Sequence, residues 1–353
     1  MLDIIIVNWN VRDLLADCLR SVEADVARSG LAAEIWVVDN ASHDGSVEML
    51  RRDFPQVRLI ASEQNLGFAG GNNAALRALG FTPSPPTPLP GGEGSISSTL
   101  PHSERGDGSL NSLSHWERAG VRGITAVLLL NPDTLIQPGA LATMLQFMQT
   151  HPHVGIVGAQ LQYGDGSFQE GAFAFPGLWQ LAIDMLPQLA RLSNTRLNGR
   201  YPRAWYAQGQ PFRIGHPLGA AMLVRREAIE QVGLLDEAYH MYVEEVDWSR
   251  RITQAGWQAY CVPQAVITHL GGQSTGQVRV ASLINLWRSR YLFYRKYYHP
   301  MKVWLARWLL KWGFQLKSEQ DLHAFKQGQL SQLEFVQRQI AYQQIKAIWQ
   351  GRG

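Results

Sequence analysis

The sequence predicts an α/β fold, a mostly parallel central sheet flanked by helices, with a helical extension at the C-terminal end. Three observations carry that reading. Short β-branched runs alternate with segments of helical periodicity through the first 80 residues. The runs end in polar residues, Asn8 and Asn10 after the first and Asp39 and Asn40 after the second, at the strand ends where such sheets bind ligands. Beyond Gln273 the composition shifts to aromatic residues mixed with Arg and Lys.

In order, "DIIIVNWN" reads as a buried strand and "VRDLLADCLRSVEADV" as a helix. "AEIWVVDNAS" is a second buried strand, "DGSVEMLRRDF" a helix and "VRLIASE" a third strand, and "GGNNAALRALG" opens a helix after a glycine-rich turn. Residues 1–80 thus read as one half of a ligand-binding domain. Residues 81–123 are rich in Pro, Gly and Ser and lack apolar periodicity, and read as a disordered low-complexity insertion with no catalytic role. The half from 124 to 275 opens on the apolar strand "ITAVLLLNPDT", followed by helix "PGALATMLQFMQTH" and short strands around "VGIVGAQLQ". Residues 176–214 read as irregular, "HPLGAAMLVRREAIEQVG" as strand and helix, and "GWQAYCVPQAVITHLGG" as strands ending at His269.

The 276–353 region reads as helical. Trp304, Trp308 and Trp312 recur every four residues, so a helix stacks them along one stripe, with Arg307 and Lys311 to one side. Two readings stand for 286–317: a membrane-surface segment with indoles at headgroup depth, or a core-packing helix that closes the domain. The Gln-rich end reads as a polar helix.

Composition excludes several classes. A hydrophobic content of 46% is that of a globular protein. A formal charge of only +3 supplies no global basic field, so no nucleic-acid partner is expected. Cys18 and Cys261 are the only cysteines, which leaves no disulfide framework or Cys-based zinc site and points to a reducing, cytoplasmic compartment. "MLDIIIVNWN" has no basic region or cleavage site and reads as a strand. No apolar run is long enough to span a bilayer, so no spanning helix is expected; the basic, tryptophan-rich C-terminal region is what motivates a peripheral position on the inner face of the plasma membrane.

Two stretches carry chemistry. Asp133 ends the very apolar "VLLLNPDT", where a carboxylate must be paired, hydrogen-bonded or metal-bound. Asn131, two positions earlier, shares its strand face, and carboxylate plus amide make a hard-oxygen site suited to Mg²⁺ or Mn²⁺ held jointly with phosphates. The competing reading has Asp133 or Thr134 as the N-cap of a helix beginning near Pro138. The second stretch, "YHMYVEEVDWSRR", packs Glu244, Glu245 and Asp247 into four positions among apolar neighbours. Acids favour the first turn of a helix, and a helix from about Glu245 to Ala255, stopped by Gly256, accounts for them without catalysis.

Taken together, "IIIVNWN", "WVVDNASHDGS", "NLGFAGGNN", "LLLNPDT", "YVEEVDWSRRITQAGW" and "VITHLGG" resemble, in order, the motifs of glycosyltransferase family 2, in particular its bacterial rhamnosyltransferase-type members, which build O-antigen, capsule or cell-wall polysaccharide. The resemblance covers residues 3 to about 275 apart from the insertion. It implies a GT-A fold, a nucleotide-sugar donor and a divalent cation. It implies a place for Asn8 and Asn10 near base and ribose, for Asp39 as acceptor of a base N–H, and for Asn65 and Gly67 to Gly71 along the nucleotide. Asn131 and Asp133 stand where the family often has Asp-x-Asp, leaving Asp133 as the main metal ligand, and His269 matches a position that supplies a second. Relatives usually read Glu-Asp in the acidic stretch, the second acid being the catalytic base. Here that position is Glu245, one methylene longer, preceded by Glu244, which is placed to hold the acceptor sugar. Asp247 is expected to orient Arg250 or Arg251.

The resulting expectation is an inverting, metal-dependent glycosyltransferase. It would move a sugar, rhamnose from dTDP-rhamnose being the type case, onto a lipid-linked or polysaccharide acceptor. The alternative is a catalytically impaired nucleotide-sugar-binding or scaffolding subunit of a membrane polysaccharide complex. A nucleotidyltransferase is disfavoured by the lack of a basic, glycine-rich triphosphate loop near the N-terminus. The whole case requires Asp133, His269 and Glu245 to meet at one cleft.

Overall fold

A computed structural model describes residues 1–82, 125–271 and 279–351. The expected insertion at 81–123 lies outside these residues apart from its first two positions. The β-branched runs form β1 (Leu2–Asn8), β2 (Ala33–Asn40) and β3 (Arg58–Ser62), and the periodic segments between them form α1 (Arg12–Ser29), α2 (Ser46–Asp53) and α3 (Gly67–Ala78). These are followed by β4 (Ala126–Leu130), β5 (Thr134–Ile136), α4 (Ala140–Thr150) and β6 (Val154–Gln162). Then come β7 (Phe168–Gln169), β8 (Ala172–Phe173), α5 (Leu178–Met185), α6 (Arg203–Ala207), β9 (Phe212–Arg213), β10 (His216–Pro217), β11 (Ala221–Arg225) and α7 (Arg226–Val232). The chain continues through α8 (Glu244–Gln254), β12 (Gln258–His269), α9 (Arg279–Tyr297), α10 (Pro300–Lys326) and α11 (Gln332–Trp349).

One sheet runs through both halves in the order β3-β2-β1-β4-β11-β6-β12-β5. β1 pairs parallel with both β2 and β4, β2 with β3, and β6 with β12, whereas β11 and β5 run antiparallel to their neighbours. Because side chains alternate across a strand, β1 feeds both faces. Ile4 and Ile6 enter a core with α1 and α4, and Ile5 enters one with α3, α7 and α8. The order reverses between β1, whose chain-successor lies on one side, and β4 on the other. A crevice opens at such a switch beyond the carboxyl ends of the strands. The register of β12 against β6 shifts between Val262 and Val266, around Pro263, which cannot donate to a ladder; the shift carries one strand on to His269.

Three readings are corrected. The N-cap of α4 is neither Asp133 nor Thr134. Thr134 opens β5 and its hydroxyl donates to the Asn131 carbonyl at 2.7 Å. The orphan N–H groups of α4 are met from α1 by Asp25, whose carboxylate accepts from Gly139 N and, at 3.0 Å, from Leu141 N. Residues 176–214 are not irregular throughout, since they contain α5, α6 and the short strand β9. The Gln-rich end is a helix as read, but not a purely polar one, because Ala341, Tyr342, Ile345, Ile348 and Trp349 of α11 are buried.

The extension forms a third core. Trp287, Tyr291, Phe293 and Tyr294 of α9 pack with Val303, Ala306, Leu310 and Phe314 of α10, with the buried face of α11, and with Tyr239, Val243 and Val246 around the start of α8. At the α10–α5 contact a Cβ on Gly313 would stand 2.4 Å from Met185 Cβ, so only glycine lets these helices approach so closely. Among the described residues, no helix is long and apolar enough to cross a membrane.

Candidate active site

The crevice at the β1–β4 switch is a cavity of about 250 Å³. Asn131 and Asp133 reach it from beyond β4, His269 from the end of β12, Asn65 and Gly67 from the start of α3, and Glu244 and Glu245 from the first turn of α8. The three residues that had to meet, Asp133, His269 and Glu245, therefore share one cleft at the rim of the sheet.

On the sheet side, Asp133 Oδ1 lies 3.4 Å from His269 Nε2, and Asn131 Nδ2 lies 3.5 Å from the same nitrogen. All this is held by backbone. Asn131 N donates to Ala220 O at 2.9 Å, and Leu270 N to Asp133 O at 2.9 Å. His269 Nδ1 faces Gln169 Oε1 at 3.2 Å. An amide oxygen there is met by an Nδ1–H, which leaves the Nε2 lone pair aimed at the Asp133 carboxylate. Two acceptors facing each other need a proton or a cation between them. The carboxylate oxygen suits Mn²⁺ or Mg²⁺, the imidazole nitrogen beside it favours Mn²⁺ of the two, and one or two protein ligands are usual for a cation shared with substrate phosphates. No group of three or more His, Cys, Asp or Glu side chains placed to hold a metal occurs among the described residues; a cation on Asp133 and His269 would need its remaining ligands from substrate phosphate and water.

On the helix side, the expected helix is present one residue earlier, at Glu244–Gln254. It is preceded by two consecutive left-handed residues, Tyr242 (φ 68°) and Val243 (φ 72°). A β-branched residue pays heavily for that conformation, about 1–3 kcal/mol at each such position. Packing holds them there, because Val243 is buried in the extension core. Asp247, one turn on, accepts from Arg251 Nε at 2.9 Å and Tyr297 Oη at 2.8 Å, with Lys296 Nζ at 2.8 Å. It thus bolts α8 to α9 and orients Arg251. On the opposite side, a Cβ on Gly67 (φ 70°) would stand 2.2 Å from the His240 carbonyl oxygen. The absence of that Cβ lets the loop before α8 lie against α3.

The two glutamates differ. Glu244 is buried, and its Oε2 has no hydrogen-bond partner among the described residues. Burial, and then the neighbouring charge of Glu245, holds its carboxyl well above the usual range. Glu245 is half-buried, and desolvation pushes its carboxyl up to about 7. Its side chain runs over Gly219, whose missing Cβ would sit 3.5 Å from Glu245 Cγ. Glu245 also lines a second cleft, of about 290 Å³, with Arg200, His216, Arg290, Tyr294 and Trp349 around it. Among the described residues it is the carboxylate that lines both clefts.

Of the expected nucleotide-binding residues, Asn65, Gly67 and Asn131 line the cavity, and Asn8, Asn10, Asp39 and Gly71 do not. Asp39 accepts from Asn8 Nδ2 at 2.8 Å and Ser42 N at 2.9 Å, and Asn10 Oδ1 accepts from His43 N at 2.8 Å. These three brace the loop after β2 against the end of β1. Gly71 lies where a Cβ would meet Val7 Cγ1 at 2.7 Å, so it seats α3 on β1. Asn40, read as a strand-end residue on the ligand side of the sheet, lines the cavity, as do Trp9 and Tyr242, which the sequence reading did not assign to it. Trp9, an aromatic between two strand-end asparagines, carried a readable signal for a place at the ligand side of the sheet. Gln169, which orients His269 from the two-residue strand β7, carried none.

Residues 3–79 match the family model described as glycosyl transferase family 2. The chain is also similar to an N-acetylglucosaminyl-diphospho-decaprenol L-rhamnosyltransferase of Mycobacterium tuberculosis, in the sequences of two strains. Each is 27% identical over 309 residues, which covers 84% of this chain and 87% of the relative. The chain resembles glycosyltransferase family 2, and its first 79 residues carry that match. It is a glycosyltransferase, similar to rhamnosyltransferases. The GT-A fold is shared with a solved mannosyltransferase of Pyrobaculum calidifontis in complex with GDP-Man and Mn²⁺, at a TM-score of 0.50 and 14% identity, over 99% of this chain and 86% of that one.

Proposed function

We propose that this enzyme is an inverting transferase that moves a sugar, rhamnose from dTDP-rhamnose, onto a diphosphate-linked lipid acceptor in cell-surface glycan synthesis. The observation that carries the reading is the position of Glu245 on the wall between two clefts, one holding Asp133 and His269 and the other lined by Arg200 and Arg290. The mycobacterial relative's name supports the choice of sugar and acceptor.

The donor lies in the first cleft, with Trp9 and Asn65 along the nucleotide and Asn131, Asp133 and His269 at the diphosphate. Asp133 and His269 would hold a Mg²⁺ or Mn²⁺ ion, which when bound would neutralise charge on the departing diphosphate. The acceptor enters the second cleft, where Arg200 and Arg290, now 3.8 Å from Glu170 and 2.8 Å from Asp184, can exchange those partners for phosphate oxygens. Glu245 takes the proton of the acceptor hydroxyl as its oxygen attacks the anomeric carbon. The bond to the diphosphate breaks on the opposite face, and the nucleoside diphosphate leaves with the electron pair. A carboxyl near 7 is well matched to that task at neutral pH. Glu244, held neutral by burial, can donate a hydrogen bond to the acceptor sugar without adding charge to the site.

The test combines purified protein, Mn²⁺ or Mg²⁺, a panel of nucleotide sugars and an N-acetylglucosaminyl-diphospho-lipid, with released nucleotide and product linkage as readouts. Turnover with dTDP-rhamnose and inversion at the anomeric carbon are expected. Turnover with another donor only would replace the sugar assignment. Absence of turnover together with absence of nucleoside diphosphate binding would remove the whole reading.

A further inference from the structure

We infer that the outer face of α10 is a docking surface for a bilayer bearing anionic headgroups. The first half of α10 is apolar on two opposite faces. Val303, Ala306, Leu310 and Phe314 point into the extension core. Trp304, Trp308 and Trp312 point the other way and are 61%, 51% and 50% exposed, with Met301 and Leu305 beside them, also exposed. At 100° per residue these five side chains fall within roughly a third of the helix circumference. A helix that has already buried one face against its own core gains nothing for solubility by carrying three indoles on the other. An indole with an apolar body and a single N–H suits the boundary between acyl chains and headgroups.

Charge selects the occupant. No Asp or Glu stands in the sequence between Asp247 and Glu319. The indole stripe is flanked by a groove in which Arg307, Lys311 and Lys346 stand beside Trp304 and Trp308. Lys302, on the other flank, lies 3.3 Å from the centre of the Tyr298 ring. Such a surface repels a second copy of itself and attracts anionic lipid. The stripe ends where Glu319 enters the same face. With α9 packed inward through Trp287, Tyr291, Phe293 and Tyr294, the surface reading of 286–317 narrows to the exposed face of α10. Trp349 lines both the groove and the second cleft beside Glu245. The docking surface itself rests on these residues alone and does not depend on the transfer reading.

The experiment is co-sedimentation of the full chain with vesicles, read together with indole fluorescence and light scattering. Vesicles of phosphatidylglycerol and phosphatidylcholine in equal parts are compared with phosphatidylcholine alone. Partition into the anionic vesicles with a blue shift of emission is expected. The triple variant Trp304→Gln, Trp308→Gln, Trp312→Gln, which alters only exposed side chains, should lose partition by more than about tenfold with an unchanged melting temperature. Lys311→Gln and Lys346→Gln should each lose about fivefold. Failure of the wild type to bind anionic vesicles overturns the inference, as does undiminished binding by the triple variant. A dimer in solution that the triple variant dissociates would assign the face to a second copy and overturn it equally.

Discussion

The two walls of the donor cleft are held by different means. The sheet wall carries Asn131, Asp133 and His269 on short connections, and their geometry is set by strand pairing and backbone hydrogen bonds. The helix wall carries Glu244 and Glu245 at the end of a loop with two left-handed residues, kept in place by an aromatic core more than 40 residues further along the chain. On the proposed function, cation and nucleotide would sit on the sheet wall, and the base on the wall that depends on the extension. Damage to the extension should reach transfer before it reaches donor binding.

The largest effect that tests this division is at the base. Glu245→Gln should lower transfer by about 10²–10⁴-fold while nucleoside diphosphate affinity, measured by calorimetry, stays within a factor of about two. Equal loss of both would mean that the walls are not separable. Next comes the bolt between α8 and α9. Asp247→Asn leaves Arg251 and Lys296 facing an uncharged partner in a buried site and should cost about 3–5 kcal/mol in denaturant unfolding, again with transfer falling further than nucleotide affinity. On the sheet wall the order reverses. Asp133→Asn should abolish the Mn²⁺-dependent part of nucleotide binding, and Gln169→Ala, which frees the His269 ring, should weaken Mn²⁺ by about 10–100-fold, both with an unchanged melting temperature.

Smaller effects come from the two carboxyls. Glu245 must be ionised to accept a proton, and its carboxyl is raised from 4.5 to about 7. The rate at low substrate should therefore rise about tenfold per pH unit below 7 and level off above it; a profile flat through that range would place the base elsewhere. Glu244 binds its proton more tightly folded than unfolded. Between the unfolded value of 4.5 and its raised folded value, unfolding releases that proton, and stability falls as pH rises. Glu244→Gln escapes this, so its melting temperature should exceed that of the wild type on the alkaline side and match it below 4.5.

What could be read in advance follows the same division. The alternation of "DIIIVNWN" and "AEIWVVDNAS" with amphipathic segments has period 2 or 3.6 built into the chain, so β1 to β3 and α1 to α3 were legible, as was the burial of Asp133 at a strand end. Asp25 was not legible as a helix cap, because its partners lie 114 and 116 positions away and no local pattern encodes a cap supplied across a core. Nor were Tyr242 and Val243, which carry no glycine to announce a left-handed turn; their conformation is imposed by what packs on them. The α10 stripe was visible as a period of four, but its direction depended on which face Val303 and Leu310 would claim.

Trp349 gives the distant end of the polypeptide an influence on chemistry that its position in the chain conceals. Its indole N–H donates to the Trp287 carbonyl at 2.9 Å, and its ring forms part of the cleft beside Glu245. Cutting the polypeptide ahead of α11, a natural choice when trimming a Gln-rich tail to aid crystallisation, would remove a wall of the reaction chamber while sparing the whole nucleotide-facing motif set. Such a shortened protein would still capture nucleotide and would look, by that assay alone, intact.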